Sequence, residues 1–346
     1  MHHQKNIIID ALESLMLYMN GFPACMFFSG KGHVLSFHRV IPQNERSSLG
    51  LRFIENPPAY LEQVIEFLRT RKYDFISIND LPQRLTRAGG RFVVFSFDDG
   101  YRDIYTTVYP IMKKHHIPFV VYLTTSFPDK SALLWEYLLE NILNKQDQFE
   151  FSLNGAKHHF ICPTLEQKRD CYETVRKIIM CTTRQEYRPT LEQIFKPYLK
   201  ELYNKITILG ADWQQIKALS EDPLVTIGSH MVNHVNPKML TDDELVNEIL
   251  ESINIIESRI NIPVRHFAFP YGGRSMVGER EFAIADTFGF QTIVTTRHAN
   301  IFREHLHSLR RLPRLSVHEQ DLRNLKLHIY GIKPCLENLF KRIVTV

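Results

Sequence analysis

The chain has 346 residues, a formal net charge of +4 at pH 7 and 44% hydrophobic residues, enough to bury one sizeable α/β core or two smaller ones. A balance this close to neutral, with no Lys/Arg-rich helix interleaved with aromatics, argues against a protein built to neutralise nucleic-acid phosphates. Its five cysteines form no CxxC and no regular spacing, the usage of reduced thiols in a cytoplasmic protein.

Residues 1–32 are expected to form an N-terminal helical segment, with a helix over 6–18. Asp10, Glu13 and the Gly21-Phe22-Pro23 break interrupt its apolar run, so it reads as neither a signal peptide nor the roughly 18 apolar residues of a spanning helix. A peripheral membrane contact through an amphipathic helix stays open, with docking on the protein itself favoured. From residue 33 strands and helices alternate. A strand over 34–40 carries His38, a helix over 57–71 places Tyr60, Val64, Phe67 and Leu68 on one face, and a short strand at 75–78 leads to Asn79-Asp80 as the cap of a helix through 85. Phe92–Phe97 is an apolar run rich in β-branched and aromatic residues that ends in Asp98-Asp99-Gly100, the pattern of a buried parallel strand. A helix over 104–116 and a strand over 119–123 complete a βαβ unit and hence a parallel sheet.

Residues 128–205 break the rhythm, with a helix over 135–143, a hairpin within 149–160 and helices over 165–180 and 184–203; this is an insertion packed beside the main domain. Alternation resumes with a helix at 213–219 and a strand at 225–229 running into His230. Thr241-Asp242-Asp243-Glu244 is a capping box, and Leu245, Ile249, Ile253, Ile256 and Ile260 behind it make one apolar helix face. A strand at 266–269 ends in Pro270-Tyr271-Gly272, followed by a helix at 279–288, a strand at 292–295, a last strand within 309–317 and a C-terminal helix over 321–346. Around seven parallel strands alternating with helices, and no GxGxxG after the first, predict a barrel-like α/β domain over 33–320 rather than a dinucleotide fold.

Three strand ends carry chemistry, and each alone has an ordinary reading. Asp-Asp-Gly after a strand is as often a turn, although two adjacent carboxylates repel unless a cation or a shared proton holds them. His230 and His234 have the spacing that puts two imidazoles on one side of a helical turn, within reach of one ion; such pairs are more often accidental. Phe267–Gly272 alone is a Pro-Tyr-Gly turn. All three nevertheless fall at the C-terminal ends of strands, where α/β barrels carry active sites. Two neutral imidazoles and one carboxylate would leave a divalent ion with open positions for water and substrate.

In this order, Phe-Asp-Asp-Gly, His-x-x-x-His and Pro-Tyr-Gly resemble the polysaccharide deacetylase family, also called the NodB-homology domain or carbohydrate esterase family four. Its members are metal-dependent hydrolases that remove N- or O-acetyl groups from sugars on a distorted (β/α) barrel. The resemblance covers roughly 33–127 and 207–317. Ser36-Phe37-His38-Arg39-Val40 and Leu312-Pro313-Arg314 further resemble the bacterial branch acting on surface polysaccharides, in some of which a first-strand histidine supplies the acid. The resemblance implies that Asp99, His230 and His234 bind a divalent metal, zinc in the first place. Asp98 is then the general base for the water that the metal activates, the backbone N–H of Tyr271 an oxyanion donor, and His38 the acid for the leaving amine. Two positions depart from the pattern. Met231 replaces a Ser or Thr that supports the loop, leaving Ser229 for that job, and Ala268 replaces the arginine that orients the base. Arg311 or Arg314 is the expected substitute, and Arg314 is placed with the site residues. The implied activity is removal of N-acetyl groups from an N-acetylhexosamine unit of a bacterial surface glycan or its lipid-linked precursor, in the cytoplasm or at the inner face of the membrane. A deformylase or O-deacetylase would use the same site, and a catalytically silent carbohydrate-binding protein would keep the fold.

Overall fold

The computed structural model describes residues 27–317 and 322–337; the helix expected over 6–18 lies outside the described residues. Eight parallel strands form the main sheet: β1 (Gly32–Phe37), β2 (Asp74–Phe75), β3 (Phe92–Asp99), β4 (Phe119–Leu123), β5 (Val225–Ser229), β6 (His266–Ala268), β7 (Thr292–Val294) and β8 (Leu315–Ser316). Their order is β7-β6-β5-β4-β3-β1-β8, with β2 paired to the start of β3. Leu312 bridges Val294 of β7, while Leu315 pairs with Leu35 of β1. Residues 312–316 therefore join the two edges of the sheet and curl it into a distorted (β/α) barrel.

The alternation of side chains along a strand sorts this core. Val93, Phe95 and Phe97 of β3 face outward into a layer with Leu61, Leu68 and Met112 of the flanking helices. Phe92 and Val94 face a second cluster with Val34, Val120, Tyr122, Ala268, Val294 and Leu312, drawn from five of the eight strands and the closing segment. This is the barrel interior, and the period of two places Ser96 and Asp98 on the same face. All eight residues of β3 are buried, which is why it reads as an unbroken apolar run.

Several elements differ from expectation for local reasons. Arg39–Val40 leaves the first strand to pair with Glu55–Asn56. The helix expected over 104–116 opens with a π-helical stretch at Ile104–Val108 and becomes α-helical only at Tyr109–Lys114, because Pro110 has no N–H for an i−4 bond and its ring crowds the carbonyl below. The helix expected over 184–203 breaks at Lys196–Tyr198, where Pro197 interrupts it, into Arg184–Ile194 and Leu199–Leu209. Asp80 stands at the N-cap of the helix Leu81–Thr86 but makes no side-chain cap bond; Ser77 caps the 3-10 turn Ile78–Asp80 before it, its Oγ accepting the Asn79 N–H at 3.2 Å. Among the described residues, the C-terminal helix expected over 321–346 is two short ones, Leu322–Ile329 and Ile332–Glu337, parted at Gly331 with φ +73°; 338–346 lie outside the described residues. The Thr241–Glu244 capping box forms as expected, on a helix over Asp242–Ile260.

The segment after β4 contributes a helix (Trp135–Lys145), a hairpin (Gln148–Leu153 with Ala156–Ile161) and the helices Leu165–Met180, Arg184–Ile194 and Leu199–Leu209. These share their own apolar cluster around Trp135, Leu139, Val175, Leu191 and Phe195. Glu140 ties them to the barrel, accepting the N–H groups of Ser48 at 2.7 Å and Leu49 at 3.2 Å. Among the described residues no helix is long and apolar enough to cross a membrane.

Phe97 is fully buried, with its ring stacked at 5.3 Å on Phe37 and edge-on to Phe119 at 5.6 Å. Phe97→Ala is expected to cost about 3–5 kcal/mol of unfolding free energy, read as a lower urea midpoint at unchanged slope. A loss below about 1 kcal/mol would mean that this layer does not carry the barrel's stability.

Candidate active site

Backbone ladders fix the ends of three neighbouring strands against one another. The Asp99 carbonyl accepts the Thr124 N–H at 2.9 Å, and the Leu123 carbonyl accepts the His230 N–H at 2.9 Å. Strand alternation alone would send Asp98 and Asp99 to opposite faces. Asp99 instead adopts φ +80°, and Gly100 follows at φ +116°, which turns both carboxylates into one cavity of about 310 Å³. Met231 (φ +65°), His234 (φ +50°) and Tyr271 (φ +60°) are likewise left-handed. A non-glycine residue held this way costs about 1–3 kcal/mol, and such strain collects where geometry is dictated by use.

Asp99, His230 and His234 offer ligand atoms that lie within 4.8 Å of one another. Asp99 Oδ1 is 3.3 Å from His234 Nε2 and 3.7 Å from His230 Nε2. His230 Nδ1 lies 2.7 Å from the Ala268 carbonyl; a carbonyl only accepts, so Nδ1 carries the proton and Nε2 presents its lone pair. Burial holds both imidazoles neutral, lowering His230 to about 3 and His234 to about 4. Asp99 Oδ1 is buried and accepts no hydrogen bond. Burial, reinforced by the neighbouring Asp98, raises the Asp99 carboxyl to about 6 even with His38 opposing. Lone pairs converging on one point repel, and a divalent cation is the group that fits them: two neutral nitrogens and one carboxylate oxygen are a zinc-type donor set.

The His-x-x-x-His spacing is not helical. Residues 230–234 form a loop, so the two histidines meet through left-handed backbone at Met231 and His234 and not through a helical turn. Met231 packs fully buried among Leu245, Ile249 and Phe269, and its N–H donates to Ser229 Oγ at 3.4 Å. The main support of the loop is Glu248, which accepts the N–H groups of Val232 at 3.1 Å and Asn233 at 3.0 Å and the Asn233 amide at 2.6 Å. Sequence reasoning missed Glu248; the one trace of it is an acid among apolar neighbours on the inward part of the helix over 242–260.

Asp98 lies beside this group with a separate partner. Arg314 is fully buried and donates to Asp98 Oδ1 at 2.7 Å, to Ser96 Oγ at 3.2 Å and to the Thr295 carbonyl at 3.0 Å. Burial alone would raise the Asp98 carboxyl, but the Arg314 guanidinium, with His230 and His38 behind it, holds it at about 2. Of the two arginines named as substitutes, Arg311 pairs with Asp286 at 3.2 Å, away from the site. His38 Nε2 stands 3.9 Å from Asp98 Oδ2. The Tyr271 ring packs on His234 at 4.8 Å, and among the described residues nothing accepts its backbone N–H. All seven expected site residues therefore converge, six lining the cavity and Arg314 behind Asp98. The segment after β4 adds a wall that the motifs did not announce, with Glu136, Tyr172, Arg176, Arg184, Tyr187 and Arg188.

The sequence model of the polysaccharide deacetylase family matches residues 86–292, more than half of the chain. No curated protein matches it. The Streptococcus pyogenes deacetylase PplD, solved with acetate, aligns over 86% of this chain and 97% of its own at 15% identity and a TM-score of 0.54. IcaB from Ammonifex degensii aligns over 88% and 97% at 16% identity and a TM-score of 0.54. BC0361, a polysaccharide deacetylase from Bacillus cereus, aligns over 87% and 69% at 13% identity and a TM-score of 0.54. At these identities the likeness is one of fold.

Removing Arg314 strands a buried carboxylate. Arg314→Ala is expected to lose about 3–5 kcal/mol at neutral pH in chemical denaturation. Asp98 is depressed from 3.8 to about 2, so the native pair's contribution is complete above about pH 4 and disappears as pH falls toward 2. The stability curves of the two proteins should thus converge in acid. Curves that stay parallel down to about pH 2 would rule the pair out as the source of the loss.

Proposed function

This chain belongs to the polysaccharide deacetylase family and is a carbohydrate deacetylase; we propose that it hydrolyses the N-acetyl group of an N-acetylhexosamine unit in a bacterial surface glycan or its lipid-linked precursor. On this reading the lipid-linked form would be met at the inner face of the membrane. The observation that carries the proposal is the pairing of an ionised Asp98, held by Arg314, with the adjacent Asp99–His230–His234 donor set in one cavity.

Asp99, His230 and His234 would hold a divalent ion, zinc in the first place, which when bound supplies Lewis acidity toward water and carbonyl oxygen. Asp98 takes the proton from the attacking water at a carboxylate oxygen; its low pKa keeps it ready to accept near neutrality. The Tyr271 N–H is a fixed donor for the oxygen that gains charge as the acetamide carbonyl becomes tetrahedral. His38, across from Asp98 on the cavity wall, delivers a proton to the departing nitrogen. Acetate and a free amino sugar are the products. The apolar part of the cavity, including Leu134, Phe127 and Phe269, keeps water other than the reactant away.

Asp98→Asn is expected to lower kcat for acetate release by about 10²–10⁴-fold, with one metal ion per chain still found by elemental analysis. His38→Gln should show a loss in the same range, at unchanged metal content. Treatment of the wild type with a chelator should abolish turnover, and zinc should restore it. Full activity of Asp98→Asn on an acetylated glycan would remove Asp98 from the role of base.

Glu248 gives a separate check, because it holds the ligand loop without touching the ion. Glu248→Ala is expected to weaken zinc affinity by about 10–100-fold, measured by competition with a chromophoric chelator. Unaltered affinity would show that the loop keeps its shape without that carboxylate.

A further inference from the structure

The catalytic end of the cavity is acidic, whereas its other wall is cationic. Arg176 comes from the helix Leu165–Met180, and Arg184 and Arg188 lie one turn apart on the helix Arg184–Ile194; all three line the same cavity as Asp98 and Asp99. Protein carboxylates balance them only in part. Arg188 forms no ion pair among the described residues and donates to the neutral Tyr203 hydroxyl at 3.2 Å. Arg176 comes no nearer than 3.8 Å to a half-exposed Glu173. Arg184 has a carboxylate partner in Glu248 at 3.1 Å, which also accepts three neutral donors from Val232 and Asn233. The acid that this wall itself brings to the cavity, Glu136, is raised by burial to about 7, so much of it is uncharged at neutral pH.

Three guanidiniums around one concave space repel one another and focus a positive field into it. That arrangement is favourable when the occupant is an anion. A carboxylate has two oxygens and satisfies one planar fork, whereas a phosphate ester or diphosphate has enough acceptor oxygens for several. We infer that Arg176, Arg184 and Arg188 form an anion subsite for a phosphate or diphosphate ester carried by the acetylated sugar, so that the preferred substrate is a glycosyl phosphate and not a neutral polymer. The inference rests on the deacetylase reading above and narrows its substrate. Phe53, 50% exposed and lining the same cavity, offers an apolar surface, which is why a lipid-linked diphosphate is one arm of the test.

The test compares the wild type with the double variant Arg176→Gln/Arg188→Gln, which leaves Arg184 on Glu248 and so spares the loop bearing the histidines. Binding is measured by calorimetry on the metal-loaded proteins with N-acetylglucosamine 1-phosphate, UDP-N-acetylglucosamine, polyprenyl-diphosphate N-acetylglucosamine in detergent micelles, and neutral chitotriose. The wild type should bind at least one phosphorylated probe at least about tenfold more tightly than chitotriose, and the double variant should lose about tenfold or more of that preference. The tightest of the three phosphorylated probes identifies the source, free glycosyl phosphate, nucleotide sugar or lipid carrier. Equal loss for chitotriose would overturn the inference, as would phosphate binding that survives in the double variant, since the anion would then sit on the metal alone. Because binding is read without turnover, absence of acetate release would count against the deacetylase reading while leaving the subsite's result intact.

Discussion

A fully buried guanidinium on a fully buried carboxylate sets the terms for this site. Arg314 and Asp98 lie 2.7 Å apart with essentially no exposure. Charges so placed are costly to desolvate and persist only when each has the other and further hydrogen bonds. Ser96 and the Thr295 carbonyl add hydrogen bonds to Arg314, whose Nη2 has no partner among the described residues. With Asp98 thus ionised and engaged, Asp99 is the carboxylate left to face the histidines. The two neighbours in sequence stand in different surroundings, because one has a cation of its own in the protein and the other does not.

The barrel's closure is what brings Arg314 there. Residues 312–316 bridge β7 and β1, and the arginine they carry enters the interior above Tyr122, with its guanidinium 5.5 Å from that ring's centre. Ala268, where the family's pattern has an arginine, contributes through its backbone instead, its carbonyl fixing the tautomer of His230. Its small side chain lies in the barrel's interior cluster. In this chain the closing segment supplies the cation for Asp98, while the Ala268 carbonyl holds His230.

Much of this was legible in the sequence because it depends on local pattern. The apolar climb into Asp98-Asp99, the spacing of His230 and His234 and the capping box at Thr241 each require only a few adjacent residues. Long-range substitutions are different: Arg314 stood as one of two candidates, and only the closing segment's path separates it from Arg311, which reaches Asp286. Glu248 was invisible because a buried acid on an amphipathic helix looks like a solvated one until its acceptor role is seen. The i, i+4 spacing of His230 and His234 predicts proximity only if the backbone is helical, and this segment is a loop. Here left-handed residues achieve it, and Met231 pays for none of the hydrogen bonding that Glu248 supplies. The arginine wall after β4 belongs to no motif, since Arg176 joins Arg184 and Arg188 only when two helices pack.

The division of labour between the two carboxylates is tested most directly by a crystal structure of the zinc-loaded protein with anomalous scattering recorded at the zinc edge. The account predicts one ion contacting Asp99, His230 and His234 at about 2.0–2.2 Å, with Asp98 outside that shell and still on Arg314. An ion bridging Asp98 and Asp99, with Arg314 displaced, would contradict it.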